Sequence, residues 1–216
     1  MTQCQPGQRP PVLKRGGSRL RADRFTLQLT EAQCRKVIGA SMAAWAAELP
    51  FNRFITVAWG LGGINPKASV AATGAFIKLA RDWLHDRGHP VRWTWVQEYG
   101  PKYGAHCHLL LHVPPELEPL FKPMPRRWAR KVLGGVYVAR VVQSQRLGMA
   151  ASAEAHSAAY EAQLLGKVHY MLKCAPAALE APLGMTGRGH KPWGQSCPVF
   201  GKRAGAWQGK GRTGGQ

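Results

Sequence analysis

The run Gly104-Ala105-His106-Cys107-His108-Leu109-Leu110-Leu111-His112 sets two imidazoles two residues apart in a stretch with strand character. Side chains alternate across a strand, so His106 and His108 point to one face and His112 shares it. Glu98 lies eight positions before His106, at the end of the strand-like segment Val91–Tyr99. If the two segments form a hairpin with Glu98 opposite His106, carboxylate and imidazole share a face with Cβ atoms about 4.5–5.5 Å apart. The diagonal to His108 is then about 7–8 Å, which side chains can close around one ion. A one-residue slip would turn Glu98 to the wrong face. Two imidazoles and a carboxylate accept Mg²⁺, Mn²⁺ or Zn²⁺. His112 sits about 13 Å further along the strand than His108, beyond reach of that ion.

A second group of chemical interest lies far downstream. Tyr170 and Lys173 form a Tyr-x-x-Lys pair in a helical stretch. Leu164, Leu165, Val168, Met171, Leu172 and Ala175 make one apolar stripe at helical spacing, and Tyr170 falls opposite its centre. Core packing therefore does not account for Tyr170. Lys167 and Lys173 flank it at i−3 and i+3. Tyr160 falls at the edge of the stripe, where a structural role is expected, and Tyr137 falls in a strand. A phenol with a pKa near 10 is a poor nucleophile. A neighbouring lysine or metal ion would favour its phenolate, and the ion would also polarise a phosphate. Metal ligands on a sheet with a tyrosine on a helix fit DNA strand cleavage by that tyrosine, leaving a 5′-phosphotyrosine and a free 3′-hydroxyl. Phosphoryl transfer selects Mg²⁺ or Mn²⁺, which leave coordination places open for a phosphate oxygen.

The elements that must position these groups follow from periodicity and punctuation. Thr30 caps a helix over Glu31–Glu48, ended by Leu49-Pro50. Arg53–Trp59 forms a first strand and Ser69–Arg87 a helix stopped near Gly88. Val91–Tyr99 and Ala105–Val113 are the hairpin strands, joined through Gly100–Gly104. A short basic helix over Arg126–Leu133 precedes a fourth strand over Val136–Val142, and a long helix spans Ala153–Ala175. The central order β-α-β-β-α-β predicts an α+β fold: a ferredoxin-like or RRM-like antiparallel sheet of about four to five strands, with helices mainly on one face and the other open for a site. Residues 1–25 are expected to be a flexible basic arm, 26–176 the nuclease-type domain with its N-terminal helix, and 177–216 a basic Gly/Pro-rich tail with mostly irregular structure.

The chain has 216 residues and a formal net charge of +19. That length allows one domain with a real core. The charge points to a polyanionic partner, nucleic acid first. Seven basic residues and no acid lie between Phe121 and Ala153, and no acid follows Glu180. Arg126, Arg127, Arg130 and Lys131 on the short helix, with Lys167 beside the tyrosine, are the candidate contacts to DNA backbone. His112 is assigned to DNA or solvent. Lys202, Arg203 and Lys210 in the tail would add non-specific affinity. Five scattered cysteines without a Cys-x-x-Cys fit reduced thiols and a cytoplasmic location. No apolar run approaches the ~18 residues of a membrane span.

Taken together, the motifs resemble the HUH endonucleases, named for histidine, hydrophobic residue, histidine. The likeness is greatest to the single-tyrosine rolling-circle replication initiators (Rep proteins) of plasmids, phages and small single-stranded DNA viruses. Phe54-Ile55-Thr56-Val57 resembles their first motif, Glu98 with His106-Cys107-His108 the second, and Tyr170-Met171-Leu172-Lys173 the third. The resemblance covers roughly Phe51 to Cys174. It implies a divalent metal on Glu98, His106 and His108, Tyr170 as nucleophile and Lys173 as its assistant. It further implies nicking of single-stranded origin DNA and strand rejoining. Relaxases and single-tyrosine transposases share that chemistry. No Gly-x-x-x-x-Gly-Lys-Ser/Thr loop is present, so a host helicase is the expected partner for unwinding. The rival reading is a non-catalytic nucleic-acid-binding or regulatory module on the same fold.

Overall fold

Thr30 opens the first helix with a reciprocal cap. Its hydroxyl accepts from the Gln33 backbone N–H at 3.3 Å, and the Gln33 side chain accepts from the Thr30 N–H at 2.9 Å. The computed structural model describes residues 24–148 and 158–207. Its elements are β1 (Phe25–Thr26), α1 (Glu31–Ala46), β2 (Arg53–Val57), α2 (Ser69–His85), β3 (Trp93–Gly100), β4 (Gly104–Leu111), α3 (Glu118–Phe121), α4 (Met124–Val132), β5 (Val142–Arg146), α5 (Ala158–Met171), β6 (Val199–Phe200) and β7 (Ala204–Ala206). No helix among the described residues is long and apolar enough to cross a membrane.

Five strands form one antiparallel sheet in the order β5-β2-β4-β3-β7. Without β7 this is the ferredoxin-like order, with the first strand of the motif between its third and fourth. All five residues of β2 are buried, as expected of a strand with a neighbour on each side and a layer on each face. The hairpin register places Glu98 opposite His106 and Val96 opposite His108, as the sequence predicts. Its loop closes on Gly104, which adopts φ +60°, a region that favours glycine. Gly60 lies against this loop so closely that a Cβ there would sit 2.5 Å from the Tyr103 carbonyl oxygen.

Alternation along the strands divides the core in two. Ile55, Val57, Trp95, Leu109 and Leu111 face α2 and α4, with Phe76, Leu84 and Trp128 between. Phe54, Val96 and Leu110 face the other way, where Val37 and Ala44 of α1 meet Leu164, Val168 and Met171 of α5. The face expected to be open therefore carries two helices. The reason is the apolar side of α5, which has to be buried and finds its partners there. Trp59 and Trp95 are core residues and Trp93 packs against the same core.

Two segments differ from expectation. The fourth strand of the motif is Val142–Arg146, not Val136–Val142. Val136 and Val138 are exposed, and Arg140 takes φ +67° in the turn before β5. The strand β5 is a polar edge, with Gln143, Ser144 and Gln145 exposed, so it leaves no apolar alternation to read. The C-terminal segment is largely irregular, as its composition predicts, but it is not a free tail. The strand β7 pairs with β3 and completes the sheet, and β6 pairs with β1. The predicted basic arm lies outside the described residues except for its last two, of which Phe25 pairs with Phe200. The predicted start of the long helix at Ala153 also lies outside them; its end is Met171 rather than Ala175.

Candidate functional site

On the α1/α5 face of the hairpin, Glu98, His106 and His108 present one ligand atom each within 4.8 Å of one another, all buried. Glu98 Oε2 is the point of convergence, 3.3 Å from His106 Nε2 and 3.4 Å from His108 Nε2. The outer nitrogens of both rings are occupied. His106 Nδ1 lies 2.9 Å from the Gly104 carbonyl, which can only accept, so Nδ1 carries a proton and the neutral ring turns its Nε2 lone pair toward Glu98. His108 Nδ1 lies 2.9 Å from the Thr56 hydroxyl. Phe54 stacks on the same ring at 5.4 Å between centroids. The strand β2 thus holds the second imidazole through the two residues of its first motif that face the site.

Two atoms bear on whether this group fits a cation. His108 Nε2 and Glu98 Oε1 are buried with no hydrogen-bond partner. A nitrogen lone pair and a carboxylate oxygen aimed at one place, with the remote nitrogens bonded behind them, form the donor set of a divalent ion site. The residues fit the ion that the resemblance implies.

The structure adds a cation of its own. Lys173 Nζ hydrogen-bonds Glu98 Oε2, the same oxygen that faces both histidines. It also lies 4.0 Å from the Tyr170 ring centroid. Burial pushes Glu98 toward its neutral form, but His108, His106 and Lys173 outweigh it and hold the carboxyl well below the usual range. Burial holds His108 down to about 4, so at neutral pH that ring is uncharged and Lys173 is the charge facing Glu98. Burial also lowers Lys173, against the opposing pull of Glu98.

Tyr170 sits at the end of α5 with its ring 5.0 Å from that of His108 and 6.2 Å from that of Phe54. Its phenol is pushed up from the ordinary value by burial, then by Glu98 and Tyr103. The nearby lysine does not reverse this. Lys173 is nonetheless beside it, because the chain leaves the helix after Met171 and turns Lys173 inward. Lys167, grouped by charge with the basic helix, belongs here: its Nζ stands 4.9 Å from the Phe54 ring, and it lines a pocket of about 420 Å³ with Tyr170, His108, Tyr103 and Gln143.

Several residues fall elsewhere than expected. Arg126, Arg127, Arg130 and Lys131 are exposed on α4, which packs on the opposite face of the sheet. His112 faces neither the ligand group nor solvent; it is buried, with Nδ1 2.7 Å from the Pro50 carbonyl. Tyr160 is structural as predicted, donating to the Phe51 carbonyl at 2.7 Å. Arg203 is wholly buried and donates to the carbonyls of Thr26, Leu27 and Cys197, so it is withdrawn from any DNA contact. Lys210 lies outside the described residues. Cys174 and Cys197 are joined in a disulfide, against the expectation of reduced thiols, while Cys34 and Cys107 are free and buried.

Thr56, Phe54, Tyr103 and Gln143 are site residues that motif spacing did not single out. Tyr103 packs on His106 at 5.5 Å between ring centroids and its hydroxyl accepts from Gln143 at 3.1 Å. Thr56 and Phe54 were within reach of the register argument, since they share the face of His108 once β2 pairs with β4. Tyr103 and Gln143 meet across 40 residues, and no local signal joins them.

A family model described as a replication-associated protein of the ORF2 type matches residues 52–171. The match takes in β2 through α5, including Glu98, both histidines and Tyr170, and ends short of Lys173. No curated protein and no solved structure gives a significant match.

Proposed function

The chain belongs to the ORF2-type family of replication-associated proteins, and we propose that it nicks single-stranded origin DNA through Tyr170, in the manner of an HUH endonuclease. The observation that carries this reading is the meeting of three ligand atoms and one tyrosine in a single pocket, with the tyrosine on a separate helix. Glu98, His106 and His108 would hold a divalent cation, Mg²⁺ or Mn²⁺ by the demands of phosphoryl transfer. When bound, that ion supplies charge to polarise the scissile phosphate and offsets the carboxylate that raises the Tyr170 phenol.

The remaining steps belong to the chain. Thr56 and the Gly104 carbonyl fix the two imidazoles. Lys167, at the pocket wall, receives a phosphate oxygen. The Tyr170 oxygen attacks phosphorus, forming the phosphotyrosine bond and releasing the 3′ oxygen, which takes up a proton. The ester keeps the energy of the broken bond, so the same 3′-hydroxyl can return and rejoin the strand. Lys173 keeps Glu98 ionised and stands against the attacking ring.

One observation favours the rival reading of a non-catalytic binding module: Lys173 already balances Glu98, so the site is charge-neutral without an ion. A covalent-adduct assay separates the two. Wild-type protein with labelled single-stranded DNA from its own replicon and Mn²⁺ is expected to give a denaturant-stable protein–DNA adduct, and Tyr170→Phe none. An adduct that survives Tyr170→Phe, or none with wild type across the replicon, defeats the nicking reading.

A further inference from the structure

On the face of the sheet opposite the site, α3, α4 and β5 enclose a groove of about 1010 Å³. Arg53, Lys122, Arg126, Arg127, Arg130 and Arg146 line it. Glu118 is the acid among them, and it is already engaged by Arg53 and, at 3.1 Å, by Arg146. Lys122, Arg126, Arg127 and Arg130 are exposed, and none forms an ion pair among the described residues. Like charges so close repel one another and gain nothing from the fold. They are offset by a polyanion.

Position gives the groove its meaning. Ser144 lines both this groove and the pocket of Tyr170 and His108. It lies at the middle of β5, the edge of the sheet, where Gln143, Ser144 and Gln145 are exposed. Gln143 and Gln145 line the Tyr170 pocket, while Val142 and Arg146 line the groove. The two cavities therefore meet over one strand edge, each on its own face of the sheet.

We propose that the groove holds single-stranded DNA flanking the scissile phosphate, so that one continuous strand runs from Tyr170 over the β5 edge to α4. This rests on the nicking reading and adds the path of the substrate. The turn over the edge decides between strand types. Duplex DNA has a persistence length of about 50 nm and does not bend round a single β-strand. A single strand does, and its unpaired bases can stack on Tyr137, half-buried in the groove wall. Four unpaired cations match about four phosphates.

The test uses the full chain carrying Tyr170→Phe, without metal, so that binding is read apart from cleavage. Fluorescence anisotropy with a 25-nucleotide oligo-dT is followed over a range of salt. For single strands each phosphate contact contributes about 0.7 to the slope of log K against log salt. The triple variant Arg126→Ala/Arg127→Ala/Arg130→Ala is expected to lower that slope by about 2, and to leave binding of a 25-base-pair duplex nearly unchanged. Ser144→Glu, at an exposed position, is expected to weaken oligo-dT binding while leaving an oligonucleotide of about four nucleotides unaffected. An unchanged slope on oligo-dT overturns the proposal, as does a loss that is equal or greater on the duplex. A chain that forms the adduct but keeps its slope in the triple variant fails this inference alone. A chain that shows the slope change but no adduct fails the nicking reading alone.

Discussion

Replacing Lys173 with methionine should tighten the binding of a divalent ion while weakening the protein that lacks one. The Lys173 ammonium bonds the oxygen of Glu98 on which both histidines converge, so it occupies the charge position that an ion would take. With an ion present the side chain must give up that bond and swing aside, toward Tyr170. A double and a single positive charge about 8 Å apart in an effective dielectric of about 40 repel by about 2 kcal/mol. Removing the ammonium should therefore tighten Mn²⁺ binding about 30-fold. Without an ion the effect reverses. Glu98 is 2 % exposed in the fold and loses its charged partner, and breaking a buried pair costs about 3–5 kcal/mol. Calorimetric titration with Mn²⁺ and melting curves with and without Mn²⁺ read the two halves together. The variant should melt lower than wild type in chelator and recover in saturating Mn²⁺, with Lys173→Arg close to wild type in chelator. If Lys173→Met binds Mn²⁺ no more tightly and melts normally without it, Lys173 is not the internal counter-ion and the account of the site's electrostatics is wrong.

Other consequences can be checked separately. Thr56→Val removes the acceptor behind His108 Nδ1, so Mn²⁺ affinity should fall about 10–100-fold, with Thr56→Ser near wild type; equal affinity in all three would remove Thr56 from the site. His108, held at about 4 by burial, stays neutral in the fold, whereas an unfolded histidine takes its proton near 6.5. The unfolded state therefore binds more protons between those values, and stability is lost as pH falls from about 6.5 to about 4, by about 3 kcal/mol, with lowered His112 adding in the same direction. Urea unfolding of metal-free protein at several pH values measures this, and a flat profile contradicts it. Gly60→Ala forces a Cβ to within 2.5 Å of the Tyr103 carbonyl oxygen and 2.8 Å of Gly104 Cα, backbone that has little room to yield. About 1–3 kcal/mol of stability should be lost in a denaturant titration, and a neutral result would mean that the hairpin loop does not rest on Gly60.

The metal triad was legible because its geometry is local. A short loop and the two-residue period of a strand leave few registers, and the one that puts Glu98 opposite His106 is the one observed. The nucleophile candidate was legible for a related reason: the apolar stripe of the helix excludes Tyr160 and leaves Tyr170 facing the site. What failed depended on partners distant in sequence or on surfaces without pattern. The strand β5 has a polar exposed edge, while Val136 and Val138, which have the composition of a strand, pair with nothing in the sheet. Basic residues are alike in sequence, so Lys167, Arg126 and Arg203 looked equivalent. The fold sends one to the site, one to the opposite groove and one into the core.

Arg203 shows why a Gly/Pro-rich segment without periodicity still has a fixed place. A buried guanidinium needs acceptors, and here they are main-chain carbonyls from both ends of the described chain: Thr26 and Leu27 on one side, Cys197 on the other. The same segment supplies β7 to the sheet edge, where the Gln97 N–H donates to the Arg203 carbonyl at 2.7 Å, one residue from Glu98. It returns to α5 through Trp193, whose indole donates to the His169 carbonyl at 3.2 Å, and through the Cys174–Cys197 disulfide. Tyr170 and Lys173 lie within that short span of contacts. The hairpin that carries the ligands and the helix that carries the tyrosine are thus braced by one and the same stretch of chain. The ferredoxin-like motif alone would leave the end of α5 to find its own position; the C-terminal segment fixes it against the metal ligands, and so belongs to the site as much as to the fold.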